Sequence, residues 1–192
     1  MFNNKYPYVI SEVGSNHLGK YEFCKKAILD SKKAGANCVK FQMFNENNLV
    51  HPKVKTYKHI KDKKIKYQFE RFKKVKLDLK KIIKLSKFAK KVGIDFAVTP
   101  FDYKDVKKIK KYVTFFKVAS GDLNNFLILK EIAKTKKKVV ISTGMSSMKN
   151  IENAIKFFNK KKIVLLHCIS CYPTSFENAN LENIKYLTER FN

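Results

Sequence analysis

The sequence predicts an α/β protein built on parallel strands. Three observations predict it. Short β-rich apolar runs alternate with longer amphipathic stretches through all 192 residues. The alternation repeats six times, mostly with short connections. Polar residues gather just after the apolar runs, where a parallel architecture places its ligand site. Strict strand–helix alternation means parallel strands with helices on their faces. Six units suit an open doubly wound sheet. An eight-stranded barrel needs two more, and about 250 residues.

Residues 8–13 (YVISEV) predict the first strand. A helix follows over 21–34, with Cys24, Ala27, Ile28 and Ser31 on one face and Gly35 as its stop. Residues 36–42 (ANCVKFQ) predict the second strand. Residues 43–76 form a long, polar, lysine-rich excursion, the kind of connection that covers a site. A helix over 79–92 turns Ile82, Leu85, Ala89 and Val92 inward, with Lys80, Lys84, Lys87 and Lys91 opposite. Residues 94–99 (IDFAVT) predict the third strand, stopped by Pro100, and Asp102 caps the next helix. Strands at 113–118, 138–142 and 163–167 follow, with helices at 126–135, after Ser147, and at 179–191. Ile151, Ala154, Ile155 and Phe158 form the inward face after Ser147.

Composition excludes several classes. The apolar fraction of 44% is too high for a disordered chain. No run approaches a membrane span, and no apolar leader precedes the first strand, so the reading is cytoplasmic. The net charge of +26 suggests a polyanion partner, but only Arg71 and Arg190 among the 42 basic residues are arginines. Nucleic-acid readers lean on Arg, so the excess reads as a solvated lysine surface and no nucleic-acid partner is expected. Cys24, Cys38, Cys168 and Cys171 are scattered and read as reduced thiols. Cys168-x-x-Cys171 has no second pair to complete a metal site.

The strand ends carry the chemistry. Lys40 and Lys117 sit inside apolar strand runs (CVKFQ, FFKVA). A lysine there must face a polar cavity or pair with a charge, because a desolvated ammonium is costly. With Thr99, Ser120 and Ser142 they make an oxyanion or phosphate cradle, and Gly121 and Gly144 let backbone amides approach it. The plainer alternative is that each lysine reaches the rim beside Glu12. Glu12 is then either a general acid–base or a structural partner of Lys40. His17 and His167 read equally well as neutral hydrogen-bonded histidines.

Six stretches taken together resemble the sialic acid synthase family, which includes legionaminic and pseudaminic acid synthases. They are SEVGSNHLG at 11–19, VKFQ at 39–42, VTPFD at 98–102, FKVASGDLNN at 116–125, ISTGM at 141–145 and LLHCISCYPT at 165–174. The resemblance implies a TIM (β/α)8 barrel, here truncated to about six βα units, as a single incomplete domain over 1–192. The family's C-terminal antifreeze-like domain and homodimer partner site are then expected outside the chain. Condensation of phosphoenolpyruvate with an N-acetylated amino sugar is the implied reaction. The enol C3 attacks the sugar aldehyde, water adds at C2, and the C–O bond to phosphate breaks. Lys40, Lys117, Ser120, Ser142 and Thr99 resemble the phosphoenolpyruvate contacts, with Gln42 beside them. Glu12 resembles the active-site glutamate, and Ser170 and Tyr172 resemble ligand contacts. The family's divalent metal (Mn2+ or Mg2+) takes two histidines from the seventh and eighth strands, so its ligands are expected beyond Asn192. Two alternatives stay open: a Schiff-base aldolase using Lys117, and an inactive truncated or split-gene fragment.

Overall fold

The computed structural model describes residues 6–57 and 65–191. The chain divides into two compact units, Met1–Thr114 and Phe115–Asn192.

The first unit holds β1 (Ile10–Glu12), α1 (Tyr21–Lys33), β2 (Cys38–Met43), α2 (Glu46–Leu49), α3 (Gln68–Val75), α4 (Leu79–Val92), β3 (Asp95–Pro100) and α5 (Tyr103–Ile109). Its three strands are parallel: β1 pairs with β2 and β2 with β3. Val39, Phe41, Phe96 and Val98 are buried on these strands, as are Ile28 of α1 and Ile82 and Leu85 of α4, and α1 packs on β2 and α4 on β2 and β3. Each such side chain contributes roughly 1.5–3 kcal/mol through apolar area removed from water.

The helix α4 spans the residues its periodicity predicts. The Asp78 side chain accepts a hydrogen bond from the Lys81 N–H at 2.8 Å, and Gly93 ends the helix. Lys80, Lys84, Lys87 and Lys91 are all exposed, so they form a solvated face. Pro100 differs from expectation: it is the last residue of β3, opposite Met43. The ladder survives because the next N–H, that of Phe101, donates to the Met43 carbonyl at 3.0 Å.

The excursion after β2 is not plain loop. Asn45 caps α2 by accepting from the Asn47 N–H, and α3 follows. Glu46 is 3% exposed and held by Lys76 Nζ at 2.8 and 2.9 Å. These bonds outweigh desolvation, which by itself would raise the pKa, and hold the carboxyl below its ordinary value.

The second unit holds β4 (Phe115–Val118), α6 (Phe126–Lys134), β5 (Val139–Ser142), α7 (Met148–Ile155), β6 (Ile163–Leu166) and α8 (Glu182–Phe191). A 3-10 turn, Ser120–Asp122, follows β4. The strands are again parallel, β4 with β5 and β5 with β6. Phe115, Phe116, Ile128, Leu129, Ile132 and Val140 are buried. Ser147 caps α7 as expected, but the helix ends at Ile155 and leaves Phe158 in the following turn. Strand β6 stops one residue before His167. No described helix is long and apolar enough to cross a membrane.

Candidate active site

In parallel pairs, register partners emerge on the same face and the faces alternate along each strand. Glu12 pairs with Lys40, and Gln42 with Thr99. These four side chains therefore share one face at the carboxyl ends of β1, β2 and β3. Lys40 is 6% exposed. Its ammonium donates to Thr99 Oγ1 at 3.3 Å and forms an ion pair with Glu12. Glu12 is half exposed, and its Oε1 also accepts from the Gly14 N–H at 3.0 Å. A carboxylate steered by an ammonium and an amide, yet open to solvent, can take or give a proton at a ligand. The structural salt bridge considered for Glu12 is thus formed, and it leaves the carboxylate accessible. Gln42 is half buried beside this group.

The second unit has its own cluster. Lys117 is 8% exposed. Its ammonium donates to Ser142 Oγ at 2.5 Å and to the Val118 carbonyl at 2.6 Å. No carboxylate is paired with Lys117 among the described residues. Burial disfavours the charged form and pushes the group down to about 8. Cys168 Sγ donates to the same Ser142 Oγ at 3.2 Å. The sequence reads Cys168 as a reduced thiol and as half of an incomplete metal pair, and not as a neighbour of Ser142. Its place two residues past the end of β6 was the available signal.

Gly144 lies at the centre of the remaining hydroxyls. A Cβ built on it would meet Ser170 Oγ at 2.7 Å and Ser120 Oγ at 2.9 Å. Two hydroxyls from different loops therefore converge on one backbone, as an oxyanion cradle requires. Gly144→Ala should displace both serines, press on the Cys168 carbonyl oxygen 3.1 Å away and weaken binding of an anionic ligand about tenfold. Calorimetric titration of the variant checks this. Tyr172 stands apart, 89% exposed on the loop after β6.

Both histidines are hydrogen-bonded to backbone groups. His17 is 3% exposed, its Nδ1 accepts from the Gly19 N–H at 3.0 Å, and burial lowers its pKa. His167 Nε2 lies 2.8 Å from the Ala179 carbonyl oxygen. Among the described residues no three His, Cys, Asp or Glu side chains converge to hold a metal ion. The described residues therefore do not form a metal centre by themselves.

Known proteins resemble this chain in sequence and fold. The family model for the NeuB family matches residues 27–192. The chain belongs to the NeuB family. An uncharacterized protein of Methanocaldococcus jannaschii, MJ1065, is 39% identical over 96% of this chain and 52% of its own length. The N,N'-diacetyllegionaminic acid synthase of Campylobacter jejuni is 36% identical over 95% of this chain and 57% of its own. A solved N-acetylneuraminic acid synthetase from Leptospira borgpetersenii, in complex with citrate, matches with a TM-score of 0.85 and 30% identity. That match covers 98% of this chain and 63% of the solved one. The chain thus spans about half the length of the curated relatives it matches. Its fold is that of a TIM barrel truncated to six βα units. The expectation of a barrel over an open doubly wound sheet, which rested on the strand-end motifs, is the correct one.

Proposed function

We propose that this NeuB-family chain binds phosphoenolpyruvate and takes part in its condensation with an N-acetylated amino sugar to give a sialic-type acid. The observation that carries the reading is Lys117: a buried ammonium with no carboxylate partner among the described residues, hydrogen-bonded to Ser142. A buried cation lacking a counter-ion is poised for an anionic ligand. In this reading Lys117, Ser142 and Ser120 hold phosphate oxygens, and Lys40 and Thr99 act as further oxyanion contacts. Gln42, Ser170 and Tyr172 contact the substrates. Glu12 moves the proton as water adds to C2 and the C–O bond to phosphate breaks. Names of relatives such as the legionaminic acid synthase support the substrate class.

Phosphoenolpyruvate at millimolar concentration should raise the melting temperature of the chain. At 100 times Kd the stabilisation is about 2.7 kcal/mol. That corresponds to roughly 5–10 °C for a domain of this size. No shift would sink the reading.

One observation favours a second reading. An amine with a pKa near 8 is partly unprotonated at neutral pH and can form an imine with a keto acid. Borohydride with pyruvate would then trap a covalent adduct on Lys117. The condensation reading expects none.

A further inference from the structure

Ser142 Oγ, at the end of β5, receives two donors at once. The Lys117 ammonium donates to it at 2.5 Å, and the Cys168 thiol at 3.2 Å. A hydroxyl oxygen has two acceptor lone pairs and one hydrogen. An ammonium can only donate, so Lys117 takes one lone pair, and the thiol takes the other. The hydrogen of Ser142 is left with the remaining direction at oxygen. Among the described residues no acceptor meets it. Ser142 is 6% exposed, so this is a donor held away from bulk water without a partner. A buried donor left unmade is costly until a ligand completes it.

The fold places the thiol for this contact. Lys117 is the register partner of Val140, and Leu166 that of Ser142. Register partners share a face, as do residues two apart along a strand. Lys117 and Ser142 therefore come off one face, and Cys168, two residues beyond Leu166, continues it. The backbone on either side is tied down. The Leu166 carbonyl accepts from the Thr143 N–H at 3.1 Å and from Thr143 Oγ1 at 2.8 Å. His167 Nε2 lies 2.8 Å from the Ala179 carbonyl oxygen, and a carbonyl only accepts, so Nε2 carries the hydrogen. The other thiols are placed differently: Cys24 and Cys38 are fully buried, and Cys171 is exposed.

We infer that Cys168 is a positioning residue for the anion site: its S–H fills the second lone pair of Ser142 Oγ and so fixes the Ser142 O–H as a donor to an oxyanion of phosphoenolpyruvate. The inference rests on the phosphoenolpyruvate reading and adds to it a residue that acts through Ser142 without touching the ligand. A donor fixed before the ligand arrives needs no reorganisation on binding. The opposite sense of the bond, Ser142 O–H onto sulfur, would spend the hydroxyl on a weak acceptor and turn a lone pair toward the anion. The two senses have opposite consequences. If the thiol donates, removing it frees the hydroxyl to turn and weakens anion binding. If the thiol accepts, removing it releases the hydroxyl for the anion and strengthens binding.

Calorimetric titration of the whole chain with phosphoenolpyruvate tests it. Cys168→Ala and Cys168→Val, which differ in bulk but both lack a donor, should each weaken binding about fivefold. Cys168→Ser keeps a donor and should bind within about twofold of the unmodified chain. The effect should also depend on Ser142. In a Ser142→Ala chain, adding Cys168→Ala should cost nothing further, because the thiol has lost the group through which it acts. Binding that is unchanged or tighter in the two donor-free variants overturns the inference. So does a Cys168→Ser chain as weak as Cys168→Ala, or a Cys168→Ala effect that persists in full without the Ser142 hydroxyl, since either makes the thiol a packing group. Should one donor-free variant fail to fold, the other carries the comparison with Cys168→Ser. An unmodified chain that does not bind phosphoenolpyruvate sinks the reading beneath, whereas binding that ignores Cys168 sinks this inference and leaves that reading standing.

Discussion

Lys117→Met should abolish the protection that phosphoenolpyruvate gives the chain against heat and, at the same time, make the unliganded chain more stable. The two effects share one cause. The Lys117 ammonium is desolvated against Ser142, and burial pushes it down to about 8. Below that pH the lysine is charged in both the folded and the unfolded chain, and the folded chain carries the full cost of burying it. The displacement from 10.5 to about 8 corresponds to about 3 kcal/mol. Met fills a similar volume without the charge, so much of that cost disappears. The melting temperature should rise by several degrees. Removing the buried cation from a phosphate weakens binding by about 2–5 kcal/mol, at least about thirtyfold. A misfolded variant cannot give this pair of signs, so thermal melts with and without ligand decide the case. A stability loss with binding retained would overturn it.

The same group sets two pH trends. Between about pH 8 and 10.5 the unfolded chain holds the Lys117 proton more tightly than the folded one. Stability of the unliganded chain should therefore gain from Lys117 as pH rises through that window. Affinity should move the other way. An anion needs the protonated amine, so binding should fall about tenfold from pH 7 to pH 9, with its midpoint near 8. Lys117→Met should flatten both trends.

Lys40 and Lys117 stood out in the sequence because a charged residue inside an apolar strand run has few places to go. Both are buried, and both have partners at the strand ends. Helix α4 was equally readable, because an Asp cap, a 3.6-residue apolar period and a terminal Gly all agree. The region from 43 to 76 was not. Its lysines hide the period of α3. Glu46 is buried only because Lys76, thirty residues away, comes back to meet it. Gln68 is a polar residue in a polar stretch, so no local pattern signals its burial. Its environment comes from Arg71, which in turn reaches across to Ser15 on the turn after β1. Strand ends also moved by one or two residues, as at His167. There the ladder stops where the β5 register runs out, at Ser142 opposite Leu166.

Gly19→Ala should be among the most destabilising single changes in the first unit, costing about 3–5 kcal/mol and lowering the melting temperature by roughly 10 °C. Gly19 has φ +74°, in the left-handed region, and a Cβ there would lie 2.3 Å from the Lys74 carbonyl oxygen. That oxygen belongs to the backbone of α3, so relief requires a helix to move. Gly35 supplies the control. It has φ +83°, yet nothing lies within 4 Å of its Cβ position. Gly35→Ala should therefore cost only the left-handed strain, about 1 kcal/mol. The difference between the two variants in urea or thermal unfolding isolates the clash, and equal costs would refute it. Gly19 lies four residues past Ser15 in chain order, and Lys74 lies on the helix that carries Gln68 and Arg71. The close approach of Gly19 to Lys74 thus sets how far α3 stands from the β1 turn, and with it the Arg71–Ser15 distance.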